Sequence, residues 1–64
     1  MKISYLIKVE NERGEYLIWK FDNLEDTIAK KEELKKSTYW KKTKSEIKIT
    51  KEIISEEVLE NIEI

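Results

Sequence analysis

The chain has 64 residues, a net charge of −1 from 13 basic and 14 acidic side chains, a single Gly, and no His, Cys or Pro. Zinc sites, disulfide frameworks and His- or Cys-based catalysis need residues that are missing, and a glycine-rich phosphate loop needs more than one Gly. We therefore expect one small domain over residues 1–64 that is not an enzyme and uses no cofactor or metal.

The first predicted element is a β-hairpin. Residues 2–10 alternate between apolar and polar side chains, which predicts a strand. Residues 11–14 predict a three-residue loop with its Gly in the left-handed region, and residues 16–21 form the return strand. The register of this loop places three apolar pairs on one face: Val9 with Leu17, Ile7 with Trp19, and Tyr5 with Phe21. We expect Trp19 and Phe21 to lie in the core.

A helix is predicted after the hairpin. Asp22 or Asn23 is its expected N-cap, and the acidic residues 25 and 26 suit the positive first turn. The β-branched and aromatic residues 37–40 are expected to end it. The predicted apolar stripe of this helix is narrow and consists of Leu24, Ile28 and Leu34, with Thr27 and Thr38 as further candidates.

A third strand is predicted over residues 45–53, which alternate again and place Ile47, Ile49 and Ile53 on one face. Two alternatives remain for the C-terminal residues. We favour a short helix from residue 56 to about residue 61, capped by Ser55, and the competing prediction is an edge strand over residues 58–64.

The predicted fold class is α+β. A hairpin and one helix followed by a strand give a single-layer β-β-α-β domain, with a three-stranded antiparallel sheet in the order 2-1-3. One helix packs on this sheet, and a short C-terminal helix or edge strand completes the chain. We expect the second face of the sheet to be open to solvent.

Charge is segregated along the chain. Residues 30–51 hold nine Lys against three Glu, whereas residues 52–64 hold five Glu and no basic residue. The basic segment suggests either a nucleic-acid surface or a solvated helix face that the acidic tail neutralises. The overall acidity and the use of Lys rather than Arg weigh against dedicated nucleic-acid binding. The candidate nucleic-acid contacts are Lys35, Lys36, Lys41, Lys42 and Lys44, with Tyr39 and Trp40 as stacking platforms.

Two sets of residues are candidates for binding a protein. Spaced carboxylates in the tail imitate a phosphate backbone, or else serve only solubility. Leu6, Tyr16 and Ile18 fall on the face away from the helix, where an apolar cluster marks a partner or dimer surface unless its members are scattered surface residues. Trp40 is either buried beneath the helix end or an exposed interface anchor. The candidate carboxylates of the tail are Glu52, Glu56, Glu57 and Glu60.

The function expected from these features is non-enzymatic binding to a larger protein or ribonucleoprotein. In size and layout the chain resembles short Ile-, Lys- and Glu-rich accessory proteins of phages and mobile elements in low-GC bacteria. Many of these are stoichiometric inhibitors of host machinery, including the anti-CRISPR proteins, but the resemblance carries no site residue. The alternatives are a nucleic-acid-binding accessory protein that uses segment 30–51, and a structural or assembly subunit that forms a homodimer through its sheet face or edge.

We expect the protein to be cytoplasmic, in a bacterial cell, and to have no membrane partner. Lys2 and Lys8 leave no apolar stretch long enough for a signal peptide between them. The longest apolar run, residues 16–19, is far shorter than a membrane span.

Overall fold

The chain forms a small α+β domain in a computed structural model, which describes residues 3–53 and 56–64 apart from the Glu56 side chain. Within these residues the strands make one antiparallel sheet in the order β2-β1-β3-β4. The elements in chain order are β1 (Ser4–Asn11), β2 (Tyr16–Phe21), α1 (Leu24–Lys35), α2 (Thr38–Lys42), β3 (Ser45–Glu52) and β4 (Glu56–Glu63). Neither described helix is long and apolar enough to cross a membrane.

The predicted hairpin and its register are confirmed. Opposite residues of β1 and β2 include the three apolar pairs expected from the loop type. The loop is held by Asn11, a buried residue whose side-chain oxygen accepts the backbone N–H groups of Arg13 at 3.0 Å and Glu15 at 3.1 Å. Gly14 has a φ of +84°, in the left-handed region that a residue with a side chain rarely adopts.

The first helix begins as predicted but buries only part of the expected apolar stripe. Asn23 is the N-cap, and its side-chain oxygen accepts the Asp26 N–H at 2.8 Å. Thr27 and Leu34 are buried on one face of the helix, where helical spacing places them together. The Thr27 hydroxyl donates a hydrogen bond to the Asn23 carbonyl at 2.9 Å, so this buried polar group has a partner. The predicted stripe was therefore wrong in part. Its two members at the edge of this face, Leu24 and Ile28, are 41% and 39% exposed.

A second short helix, α2, was not predicted. The helix α1 ends at Lys35, before the cluster 37–40 that was expected to end it, and this cluster begins α2 instead. The new helix carries Trp40 into the core, where burial of a large ring stabilises a turn too short to form alone. Lys44 then adopts a left-handed φ of 54° and leads into β3.

The C-terminal residues form an edge strand, so the favoured prediction of a helix over 56–61 was wrong. Its proposed cap, Ser55, lies outside the described residues. The strand β4 pairs with β3, and a bulge between the partners of Ile49 and Thr50 leaves Leu59 as an extra residue. The bulge shifts the alternation of side chains by one residue, which hid the strand pattern in the sequence. Pairing with β3 provides the backbone hydrogen bonds that a six-residue helix would secure only weakly in isolation.

Both helices pack on one face of the sheet and close the core. Trp19, Phe21 and Ile64 are only partly buried and pack against the core, so the two hairpin rings contact the core but are not among its buried residues, where the prediction places them. The buried apolar side chains among the described residues are Ile7, Val9, Leu34, Trp40, Ile47 and Ile49. The opposite face of the sheet carries no described element.

Candidate functional site

The helices leave one face of the sheet uncovered among the described residues, and we call it the open face. Because opposite residues of paired strands share a face, the strand registers place its side chains in rows across the sheet. We call them the acidic row, the lysine row and the mixed row. Written from β2 to β4, they are Tyr16-Glu10-Glu46-Glu63, Ile18-Lys8-Lys48-Asn61 and Lys20-Leu6-Thr50-Val58.

Large apolar side chains lie exposed within these rows. Tyr16, Ile18 and Val58 are 57%, 53% and 52% exposed, and Leu6 is half-buried between them. The predicted positions of Leu6, Tyr16 and Ile18 on the face away from the helices agree with the strand pairing. Val58 is a further member that the sequence analysis missed, because its face depends on the bulge in β4.

A shallow depression lies at the centre of the open face. It has a volume of about 250 Å³ and is lined by Leu6, Lys8, Ile18, Lys48 and Thr50. This volume lies below the range of about 300–1,000 Å³ that is usual for small-molecule pockets.

Like charges stand directly opposite one another in two of the rows. Lys8 faces Lys48, and Glu46 lies between Glu10 and Glu63. Cross-strand pairs of like charge destabilise a sheet. One contact relieves part of this cost, since the Lys8 ammonium lies 3.6 Å from the Glu10 carboxylate.

The same lysine also touches the aromatic member of the acidic row. The Lys8 ammonium lies 5.1 Å from the centre of the Tyr16 ring, within the range of a cation–π contact. The ring lies at the β2 side of the face and is largely exposed. Exposed Tyr is among the residue types that often dominate binding energy at interfaces.

The predicted acidic tail does not form one surface. Strand alternation places Glu57 and Glu60 on the helix face, where Glu60 accepts the Lys31 ammonium at 3.2 Å. The Glu52 carboxylate lies 3.9 Å from the Lys20 ammonium. The side chain of Glu56 lies outside the described part of the structure. The carboxylates that the fold does bring together are those of the acidic row, which only the registers of β3 and β4 reveal. Among the described residues, no three carboxylates converge closely enough to hold a metal ion.

The lysines proposed for nucleic-acid binding lie around the corner between α1 and β3. Lys35 is half-buried and the others are exposed, and none forms an ion pair within 4.0 Å among residues 3–53 and 56–64. The aromatic part of this candidate site is different from the prediction. Trp40 is only 9% exposed and belongs to the core, so its buried alternative is confirmed and the exposed anchor is wrong. We call the four exposed lysines the lysine corner: Lys36, Lys41, Lys42 and Lys44.

Tyr39, the second candidate stacking residue, is exposed but engaged. Its hydroxyl donates a hydrogen bond to the carboxylate of Glu15, which also accepts the Asn11 amide at 2.8 Å. The bond from Tyr39, followed by that from Asn11, holds the pKa of the Glu15 carboxyl below its ordinary value. The same carboxylate raises the pKa of the Tyr39 hydroxyl. The pair therefore ties α2 to the hairpin.

Comparison of the chain with protein-family models, curated proteins and solved structures finds no match. The two surfaces described above are therefore the features that bear on its function. The open face combines exposed apolar side chains, opposed like charges and a small depression. The lysine corner offers positive charge without an available Trp.

Proposed function

We propose that this protein is a non-enzymatic, cytoplasmic binding module that docks the open face of its sheet on a larger protein. The observation that carries this proposal is the exposure of Tyr16, Ile18 and Val58 on one uncovered face. A small domain with a thin core gains stability when a partner covers such a face. Its place in biology, on this proposal, is that of a stoichiometric inhibitor from a phage or mobile element, which acts by occupying a surface of bacterial host machinery.

The chemistry of the face defines the partner. The exposed apolar side chains fit a protein surface that offers a projecting apolar side chain, and the acidic row fits basic groups beside it. Glu46 and Glu63 form no ion pair within 4.0 Å among the described residues, so both carboxylates are free to meet these basic groups. Charge complementarity of this kind contributes specificity and association rate as well as affinity.

The experiment that tests this proposal is affinity capture from a nuclease-treated bacterial lysate with two matched variants. Val58→Lys places a charge on the open face, whereas Ile28→Lys places the same charge at an exposed apolar position of α1. We expect one protein to be retained at a 1:1 ratio by the wild type and by Ile28→Lys, with at least a tenfold loss on Val58→Lys. Equal retention by both variants would contradict the proposal.

The inhibitory role has its own readout. Once the captured protein is purified, its activity should fall in proportion to the amount of this protein added and stop falling at equimolar amounts. Binding without any change in activity would support the role of binding module and contradict the role of inhibitor.

A second candidate function is nucleic-acid binding at the lysine corner, which the exposed and unpaired lysines favour. Its test is binding of labelled single-stranded RNA and duplex DNA by the wild type and by Lys41→Glu combined with Lys42→Glu. This function requires an affinity that falls steeply as salt rises and that the double variant removes. The absence of polynucleotide binding at low salt would exclude it and leave protein binding as the function.

A further inference from the structure

The two edges of the sheet are protected very differently. An edge strand presents unpaired N–H and C=O groups that invite pairing with another strand, and charges or bulges prevent this. The edge strand β4 contains four Glu and a bulge at Leu59. The opposite edge strand, β2, reads YLIWKF, with Lys20 as its one charge and no irregularity in its register.

The pairing pattern shows which backbone groups of β2 are free. The Asn11 N–H donates to the Glu15 carbonyl at 3.0 Å, and hydrogen-bonded pairs of an antiparallel ladder recur at every second residue. Leu17 and Trp19 therefore bond to β1. The N–H and C=O groups of the alternate residues, Tyr16, Ile18 and Lys20, point away from β1, where no described strand lies.

We propose that β2 pairs with the β2 strand of a second copy of this chain, antiparallel and across a two-fold axis at Ile18. In this register Ile18 lies opposite Ile18 of the second copy, and Tyr16 lies opposite Lys20 of the second copy. Each strand then pairs all three of its outward-pointing residues. The two four-stranded sheets become one continuous sheet.

The side chains of β2 are complementary to themselves in this register. Lys20 meets an aromatic ring instead of a second lysine, in the type of contact that Lys8 already makes with Tyr16. Leu17, which is 49% exposed, gains Trp19 of the second copy as its opposite residue on the helix face. A symmetric contact of this kind closes as a dimer.

The β4 edge is not suited to pairing with a second copy in this way. Two copies of β4 would bring glutamates close together, and the bulge interrupts a regular ladder. Pairing of β2 with β4 would be head-to-tail and would leave a free edge at each end. The asymmetry between the edges therefore selects one closed arrangement. This inference goes beyond the proposed function, because it rests on the unpaired backbone edge of β2 and names a second copy of this chain as the occupant.

Amide hydrogen exchange measured by NMR tests the pairing in the unmodified chain. At rising protein concentration, the amides of Tyr16, Ile18 and Lys20 should become at least tenfold better protected. The amides of Leu17 and Trp19 bond to β1 and are internal controls that should be protected throughout. Over the same range the mass in sedimentation should rise from 7.8 kDa towards twice that value. A constant mass with unchanged exchange, or protection that appears along β4 instead, would overturn the proposal.

A single cysteine provides an independent test, since the chain has none of its own. Opposite residues of a hydrogen-bonded pair lie about 5.5 Å apart, within the range that a disulfide spans. Ile18→Cys should therefore form a covalent dimer under mild oxidation. Val58→Cys is the matched control, because its side chain has nearly the same exposure on the same face but belongs to the other edge. Equal rates of dimer formation in both variants would contradict pairing at β2.

The proposed dimer and the proposed function can be contradicted independently of each other. Val58→Lys should abolish partner capture but leave the sedimentation mass of the dimer unchanged. If the wild type is monomeric and Val58→Lys still abolishes partner capture, the open face stands as the binding site and only the proposed pairing of β2 is contradicted.

Discussion

At the residue scale, polar side chains link the hairpin turn to α2 outside the apolar core. Glu15 in the hairpin accepts hydrogen bonds from Asn11 and from Tyr39 of α2. The turn residues around Asn11 could be predicted because the loop type follows from local sequence. The bond to Tyr39 could not, since it joins residues 24 positions apart.

The link between Glu15 and Tyr39 makes stability depend on pH. A carboxyl with a lowered pKa in the folded state stabilises the fold above its unfolded-state pKa, and this contribution is lost as the pH falls through the folded-state pKa. Tyr39→Phe removes the largest cause of the shift, so we expect the pKa of Glu15 to rise and the acid-induced loss of stability to shrink. Carboxyl NMR titration measures this pKa. Tyr16→Phe is the control and should leave it unchanged, and an unaltered pKa in Tyr39→Phe would contradict the role of the bond.

Trp40 is the residue whose burial matters most for stability. Trp40→Ala should lower the free energy of unfolding by about 3–5 kcal/mol, because the core would lose its largest buried ring. A domain of this size has little more stability than that, so this variant should be largely unfolded at 25 °C. Chemical denaturation of Trp40→Phe, which keeps a ring, should show a smaller loss. Trp19→Ala should also cost less, because Trp19 is only partly buried. A stable Trp40→Ala variant would place the ring outside the core.

At the scale of elements, the hairpin, α1 and β3 could be predicted because their patterns are local and regular. The short helix α2 spans little more than one helical turn, so no periodic pattern identifies it. The strand β4 was misjudged because its bulge at Leu59 breaks the alternation that identifies strands. The face of Val58 and the opposition of Glu46 to Glu63 follow only from long-range pairing.

The turn from α2 into β3 contains a conformation that its residue does not favour. Lys44 has a left-handed φ, which costs a residue with a side chain about 1–2 kcal/mol. Lys44→Gly should therefore raise the free energy of unfolding by about 0.5–1 kcal/mol after the greater entropy of Gly in the unfolded chain is counted. Lys41→Gly, within α2, should lower it by a similar amount. Thermal denaturation of both variants measures the difference, and destabilisation by Lys44→Gly would be the contrary result.

At the scale of the whole molecule, one face of the sheet packs against the helices and the core, and the other, which no described element covers, is the proposed binding face. The sequence predicted this division and the position of three side chains on the open face, Leu6, Tyr16 and Ile18. The charged rows remained hidden because they need the register of four strands at once. Substitutions on the open face should therefore affect binding far more than stability, in contrast to Trp40→Ala.

The most direct test of this division is an NMR titration of the isotope-labelled protein with its captured partner. Binding through the open face should shift or broaden the resonances of the acidic, lysine and mixed rows, with Lys8 and Lys48 at the centre, and leave the exposed side of α1 unchanged. Changes confined to α1 and the lysine corner, with the rows unaffected, would contradict the account.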